Sequence, residues 1–215
     1  MRILELFCGT KSVGKVFEKK GWEVISVDID KKWAPTYCCD ILDFNYKDIG
    51  PVDFIWASVP CVSFSNMGGG RHRNKYSLEP LTDTALIGDI LLNHTLEIIA
   101  YFDCLWCIEN PRGYMRHILN KPYTSVNYCK YGSPFFKPTD IFNNFNFCGK
   151  KCEYEKKGMV VDCNHRRVKG SHRSRKRGGI QRATQIEAYQ IPPKLIDDIF
   201  TSINIYVADT AHYDD

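Results

Sequence analysis

Four short apolar runs, each ended by a turn or a helix-spaced segment, constrain this chain more than any other feature. They are "RILELF", "EVISVDI", "DFIWASV" and "CLWCIEN". "DFIWASV" is apolar without alternation, as a parallel strand covered on both faces is. Between the runs lie segments of helical spacing. Val13, Val16 and Phe17 lead to Gly21 as C-cap, and Thr82 to Phe102 reads as one long helix with Ala85, Leu86, Ile90, Leu96 and Ile99 on its buried side. Strand, helix, strand in this order predicts an α/β fold on a parallel sheet. In such sheets ligands bind at the carboxyl ends of the strands. A chain of 215 residues suffices for one sizeable core and a small appended module.

The pattern changes after Asn143. The next stretch has little apolar periodicity and is rich in cysteine and in basic residues, and apolar spacing returns in "IPPKLIDDIFTSI", a helix opened by Pro192 and Pro193. The predicted division is a main domain over 1–143, a small Cys-rich basic module over 144–182, and a C-terminal helix over 183–215 that packs back on the first domain. "ADTAHYDD" is expected to fray.

Ten cysteines suit a secreted disulfide scaffold, but "MRILELFCG" begins a strand at once, with no basic segment followed by an apolar one and a cleavage site. No apolar run approaches the roughly 20 residues of a membrane span. The expectation is a reducing intracellular compartment, cytoplasm or nucleus, with no membrane partner, where cysteines pack, ligate metals or act as nucleophiles. The net charge of +4 is too small to prove a polyanion partner, but the positive charge is concentrated late in the chain.

Two turns draw attention. "ELFCGTKSVGKVF" is strand, glycine turn, helix, which lets backbone approach a ligand and offers free N–H groups. Asp28 ends the second strand roughly 20 residues beyond Gly9, where acidic side chains accept from ribose hydroxyls in nucleotide-type sites. Asp40 ends a possible third short strand. The turn is not G-x-G-x-x-G, which disfavours a dinucleotide, and Gly9 and Asp28 are also compatible with simple turn roles. The second turn holds Cys61, after Pro60 at the carboxyl end of "DFIWASV" and before a glycine-rich loop. It reads as a packing cysteine, a metal ligand or a nucleophile, and the last requires a thiol lowered by nearby positive charge or N–H dipoles. Glu109 and Asn110 end the next long strand, so that a carboxyl group and a thiol share one cleft. Such a carboxyl is costly unless it is used or paired.

"LFCGTKSVG", "VDID", "VPCVSFS" and "IENPRG" occur in the order of the motifs of cytosine-C5 DNA methyltransferases, and "YGSPFFKPTDIF" resembles that family's later motif. Within the family the chain is most similar to short phage and large-DNA-virus members. The resemblance implies a Rossmann-like class I methyltransferase sheet with helices on both faces, plus a small Cys/His-rich basic insert. It implies that Cys61 adds to C6 of a cytosine flipped out of duplex DNA, while Glu109 holds N3 and the exocyclic amine. The implied methyl donor is S-adenosylmethionine. Phe7 would stack near the adenine, Gly9 lie by the methionine portion, Asp28 bind the ribose, Asp40 contact the adenine amine and Ile41 flank the ring. Cys8, Thr10, Ile29 and Pro60 complete the implied set. "SNMGGGRHRNKYS" becomes a mobile loop over the base, with Arg71, Arg73 and Lys75 reaching phosphates.

The chain also departs from the family. Pro111 replaces the usual Val after Glu-Asn. Phe135, Lys137 and Thr139 stand where the family has Gln-x-Arg-x-Arg. Thr139 cannot replace an arginine that contacts the cytosine carbonyl, so Lys137 or Lys130 is expected to supply the positive charge. The usual large target-recognition domain is missing. This leaves two alternatives to methylation of duplex DNA: a C5-type enzyme acting on RNA or on single-stranded or modified nucleic acid, and a catalytically weak nucleic-acid-binding relative.

In the insert, Cys148 and Cys152 are spaced C-x3-C, and Cys163 and His165 follow as C-x-H. Four such ligands in a region without its own core suit a structural zinc site; reduced, unconnected cysteines are the alternative. Arg166, Arg167, Lys169, Arg173, Arg175, Lys176 and Arg177 form a dense basic run. Beside a DNA-modifying core it reads as a phosphate-binding segment with strong salt dependence. A monomer is expected.

Overall fold

A computed structural model describes residues 1–66, 69–152, 187 and 189–211 of the chain. Seven strands form one sheet: β1 (Arg2–Leu6), β2 (Glu23–Asp28), β3 (Tyr37–Cys38), β4 (Phe54–Ala57), β5 (Leu105–Pro111), β6 (Tyr123–Asn127) and β7 (Pro138–Asn143), in the order β3-β2-β1-β4-β5-β7-β6. The described helices are α1 (Gly14–Lys19), α2 (Gly69–His72), α3 (Asp83–Phe102), α4 (Met115–Ile118) and α5 (Pro193–Ala211). β1 lies between β2 and β4 and runs parallel to both. The order reverses there, so the switch point of the sheet opens above the turn that follows β1.

Alternate residues of each strand enter opposite cores, as the two-residue period of a strand requires. Leu4, Leu6, Ile25, Ile55 and Ile108 face one core with Leu92, Ile98 and Ile99 of α3. Ile3, Phe54, Trp56, Cys107 and Ile141 face the other with Val16 and Phe17 of α1 and Leu195, Ile196, Ile199 and Ile203 of α5. Both faces are therefore covered, in a Rossmann-like α/β arrangement. Pro193 opens α5, where its missing N–H costs nothing.

The sheet is not wholly parallel. β7 runs antiparallel to β5 and to β6. Ten residues join β6 to β7, too few for a parallel crossover, so the chain folds back on itself.

The buried stripe of α3 also differs from the expected one. Ala85, Gly88, Leu92, Thr95, Ile98 and Ile99 face inward, whereas Leu86 and Ile90 are half exposed. Close approach explains the choice: a Cβ on Gly88 would lie 2.6 Å from the Ser63 hydroxyl, so the small residues at 85 and 88 admit the loop that follows Cys61. α3 has the length and apolarity of a membrane span, which the search for an unbroken apolar run missed because Asp89, His94 and Glu97 interrupt it. In this fold its inward stripe is packed against the sheet.

Candidate active site

The turn after β1 takes left-handed backbone at Phe7 and Gly9, with φ of 55° and 46°. It is held from the next strand. The Gly9 N–H donates to Asp28 Oδ2 and the Asp30 N–H to Asp28 Oδ1, both at 2.8 Å. A Cβ on Gly9 would meet nothing within 4 Å, so the space above this turn is open. Exposed Ile29 and half-buried Asp28 and Asp40 border that end of the sheet. Asp40 also caps the next turn through the Leu42 N–H at 3.0 Å. Asp28 already accepts two backbone bonds, and a carboxylate has about four lone-pair sites, so capacity for a hydroxyl remains.

Two residues of the implied cofactor set turn away from this space. Ile41 is buried in the core, and the exposed apolar side chain beside it is Leu42. Cys8 is buried with its Sγ toward the Gly9 carbonyl; burial first, then the charges of Glu5 and Asp28, push its thiol up to about 12. Cys8 can contribute backbone only. Phe7 is half-buried against the core. Beneath the turn, the buried Glu5 carboxyl accepts the N–H groups of Val13 and Gly14 at 3.3 and 3.0 Å, bracing the start of α1.

Thr10 hydrogen-bonds Ser12, whose oxygen accepts the Ile191 N–H just before α5. Thr10, Ser12 and Lys15 line a cleft of about 400 Å³ with the Gly132–Phe135 turn and the Gln190–Pro193 segment. The sequence assigned no ligand role to Ser12, Lys15 or Gln190.

Cys61 lies four residues beyond the end of β4 and is partly exposed; Pro60 beside it is exposed. The turn is fixed at both ends. The Ser58 N–H donates to the Leu6 carbonyl at 3.2 Å, and the fully buried Asn110 amide donates to the Val59 carbonyl at 2.8 Å. Beyond Cys61, the Tyr114 N–H donates to the Phe64 carbonyl at 2.6 Å, and the Asn66 N–H approaches the Arg112 carbonyl. A Cβ on Gly113 would stand 2.1 Å from the Phe64 oxygen, so only glycine fits there. Burial, with the Glu109 charge second, raises the Cys61 thiol above its ordinary range, while Lys137 opposes them. That direction favours the protonated thiol at rest, whereas a nucleophilic role requires nearby positive charge or N–H dipoles to lower it.

Glu109 is buried at the end of β5. Its Oε1 accepts a 2.8 Å hydrogen bond from the Tyr128 hydroxyl, and Lys137 Nζ lies 3.8 Å from the same oxygen. Lys137 also sits over the Tyr128 ring, 4.6 Å from its centroid. Thr139 is fully buried, and its hydroxyl donates to the Lys137 carbonyl at 3.4 Å. Glu109 and Lys137 thus share one centre, near enough to Cys61 for both charges to act on its thiol, and Thr139 lies buried two residues from Lys137. Nothing in the spacing of the sequence pointed to Tyr128.

The loop cations divide. Arg71 and Lys75 are exposed. Arg73 is buried and makes no surface for phosphate, contrary to expectation. Its guanidinium bonds Asp89 through both terminal nitrogens at 3.0 and 2.5 Å, donates to the Ser63 and Ala85 carbonyls, and lies over the Phe64 ring. Asp89 on α3 turns it inward, and it clamps the loop after Cys61 to that helix.

Among the described residues no group of three or more His, Cys, Asp or Glu could hold a metal ion. Cys148 is exposed and Cys152 half-buried, its N–H bonded to Asn127 Oδ1 at 2.8 Å. Cys163, His165, Arg166, Arg167, Lys169, Arg173, Arg175, Lys176 and Arg177 lie outside the described residues.

The model of the C-5 cytosine-specific DNA methylase family matches residues 1–79. A probable DNA (cytosine-5)-methyltransferase of Frog virus 3 (isolate Goorha) is 32% identical over 216 residues, covering 93% of this chain and 98% of that protein. Among solved structures, a triple mutant of Spodoptera frugiperda DNMT2 is 19% identical with a TM-score of 0.44, covering 71% of this chain and 53% of its own. The Entamoeba histolytica methyltransferase EhMeth is 14% identical with a TM-score of 0.48, covering 72% and 57%. This chain thus spans little more than half the length of those two structures.

Proposed function

The chain belongs to the C-5 cytosine-specific DNA methylase family, and from that premise we propose that it methylates C5 of cytosine in DNA, with Cys61 as nucleophile. The observation that carries this reading is the shared environment of the Cys61 thiol, the Glu109 carboxyl and the Lys137 ammonium at the ends of β4 and β5. C5 of cytosine is a poor nucleophile until a sulfur adds to C6. Glu109 is buried with one oxygen already held, which suits it to grip N3 and the exocyclic amine and stabilise the charge that develops on addition.

Glu109 opposes ionisation of Cys61 and Lys137 favours it. A base that engages the Glu109 carboxyl weakens the first effect and leaves the second, so bound substrate shifts Cys61 toward the thiolate, its proton passing to solvent. Once C5 carries the methyl group, loss of its remaining proton to solvent restores the C5–C6 double bond as the C6–S bond breaks, and Cys61 leaves with the sulfur electron pair. Because the reacting atoms lie inside the duplex stack, the base must be flipped out. Arg71 and Lys75 are exposed and available to phosphate, and the basic run from Arg166 to Arg177 in the sequence extends that reading.

S-adenosylmethionine, the implied donor, supplies an electrophilic methyl group when bound. The open cradle at Gly9, bordered by Asp28, Ile29 and Asp40, fits its nucleoside end, and the cleft at Thr10, Ser12 and Lys15 fits a charged amino-acid end. Zinc at Cys148, Cys152, Cys163 and His165 is proposed on ligand spacing, and metal analysis of the purified protein before and after Cys163→Ser tests it. The working state proposed is a monomer in a reducing compartment, since Cys61 must stay a free thiol.

The test is transfer of label from S-adenosylmethionine to duplex DNA, with RNA and single-stranded DNA as competing substrates. Label in cytosine of the duplex, lost in Cys61→Ala, is the expected result. Label confined to RNA would move the substrate, and no label in any nucleic acid across a range of salt would overturn the reading.

A further inference from the structure

The buried hydroxyl of Tyr128 is the one polar group of this centre that neither the motifs nor the chemistry above uses. Two contacts meet on its side chain. The hydroxyl donates to Glu109 Oε1 at 2.8 Å, and Lys137 rests on the face of the ring, 4.6 Å from its centroid. The ring itself is fixed. The Tyr128 N–H donates to the Lys137 carbonyl and the Tyr128 carbonyl accepts the Ser133 N–H, both at 3.2 Å, and the side chain is fully buried.

We propose that Tyr128 is a positioning residue of the methyl-transfer reaction, holding the Glu109 carboxyl by its hydroxyl and the Lys137 ammonium by its ring, in place of the arginine absent at Thr139. The inference rests on the function proposed above. Thr139 is short and fully buried, and its hydroxyl donates to the Lys137 carbonyl. The room beside Glu109 is filled by an aromatic ring from the fold-back between β6 and β7. With Oε1 engaged by Tyr128, and Lys137 at 3.8 Å, the carboxyl cannot swing, and Oε2 is left for the base. The ring face attracts the ammonium and keeps it near Cys61 and Glu109.

Two measurements test the proposal. The first is the rate of iodoacetamide alkylation of Cys61 against pH, read on the Cys61 peptide by mass spectrometry, which needs no turnover. Tyr128→Leu removes the platform under Lys137 and is expected to move the alkylation midpoint to higher pH. The second is the single-turnover rate with saturating duplex DNA and S-adenosylmethionine. Tyr128→Phe keeps the ring but loses the hydroxyl, and is expected to slow the rate by about 10- to 100-fold, as loss of one hydrogen bond to a charged group implies, with half-saturating concentrations and thermal midpoint near those of the wild type. A wild-type single-turnover rate in Tyr128→Phe, or an unchanged midpoint in a folded Tyr128→Leu, overturns the proposal. If the wild-type protein methylates no nucleic acid, the function above fails, and the alkylation midpoint alone decides whether Tyr128 organises the two charged groups.

Discussion

The side-chain amide of Asn110 donates to the Val59 carbonyl across 2.8 Å, tying the end of β5 to the turn that presents Cys61. Both groups are buried, and neighbouring strands thus fix the thiol relative to the carboxyl of Glu109, the residue before Asn110. Asn110→Ala would leave the Val59 carbonyl without its donor. The expected cost is about 1–3 kcal/mol of stability, with a fall in methyl-transfer rate at saturating substrates. Urea denaturation and initial rates on one preparation measure both. A rate unchanged beside a full loss of stability would confine Asn110 to folding.

Arg73 and Arg71 stand two residues apart and should behave as opposites. Arg73→Met removes a buried guanidinium and leaves Asp89 facing apolar surroundings. Breaking a buried pair typically costs about 3–5 kcal/mol, and the partial exposure of Asp89 sets the expectation at the low end. Arg71→Ala should leave the unfolding midpoint in place and reduce the slope of log affinity for DNA against log salt by about 1. Arg73→Met with wild-type stability would contradict the clamp between the Cys61 loop and α3.

The parts legible in the sequence are those set by local pattern. β1, β2, β4 and β5 announce themselves because they are apolar where they face two cores, and each delivers its functional residue at its carboxyl end: Gly9, Asp28, Cys61 and Glu109. β6 and β7 escape because their pairing depends on a fold-back, and Pro138 at the start of β7 does not read as a strand residue. Tyr128 escapes for the same reason, since only the β5–β7–β6 register brings it beneath Glu109. Arg73 escapes because a cation in a glycine-rich loop reads as solvent-facing, and what turns it inward is Asp89, sixteen residues away on another element.

Cys61 should respond oppositely to its two charged neighbours. Its thiol is raised by burial and by Glu109 and lowered by Lys137. Glu109→Gln is therefore expected to bring the alkylation midpoint of Cys61 down while abolishing methyl transfer, and Lys137→Met to drive it up. Mass-spectrometric alkylation rates across pH 6 to 10, a range spanning ordinary thiol titration, check both. A shift of the same sign in the two variants would mean that packing, not charge, controls the thiol.

Glu5 links the first turn to pH. Burial, only partly offset by the Val13 and Gly14 N–H groups, raises its carboxyl from an ordinary 4.5 to about 8. Between those two values the folded protein holds a proton that the unfolded chain has released. Stability contributed through this group therefore falls as pH rises from about 4.5 to about 8, and the full penalty of the buried charge is present above that. Glu5→Gln removes the titration but leaves an amide nitrogen facing a backbone N–H, at a cost of about 1 kcal/mol. The variant should be the less stable protein at pH 5 and the more stable one at pH 9, with the two unfolding curves crossing between. Urea midpoints at four pH values across that range test this, and parallel curves would show that Glu5 stays ionised beneath the turn.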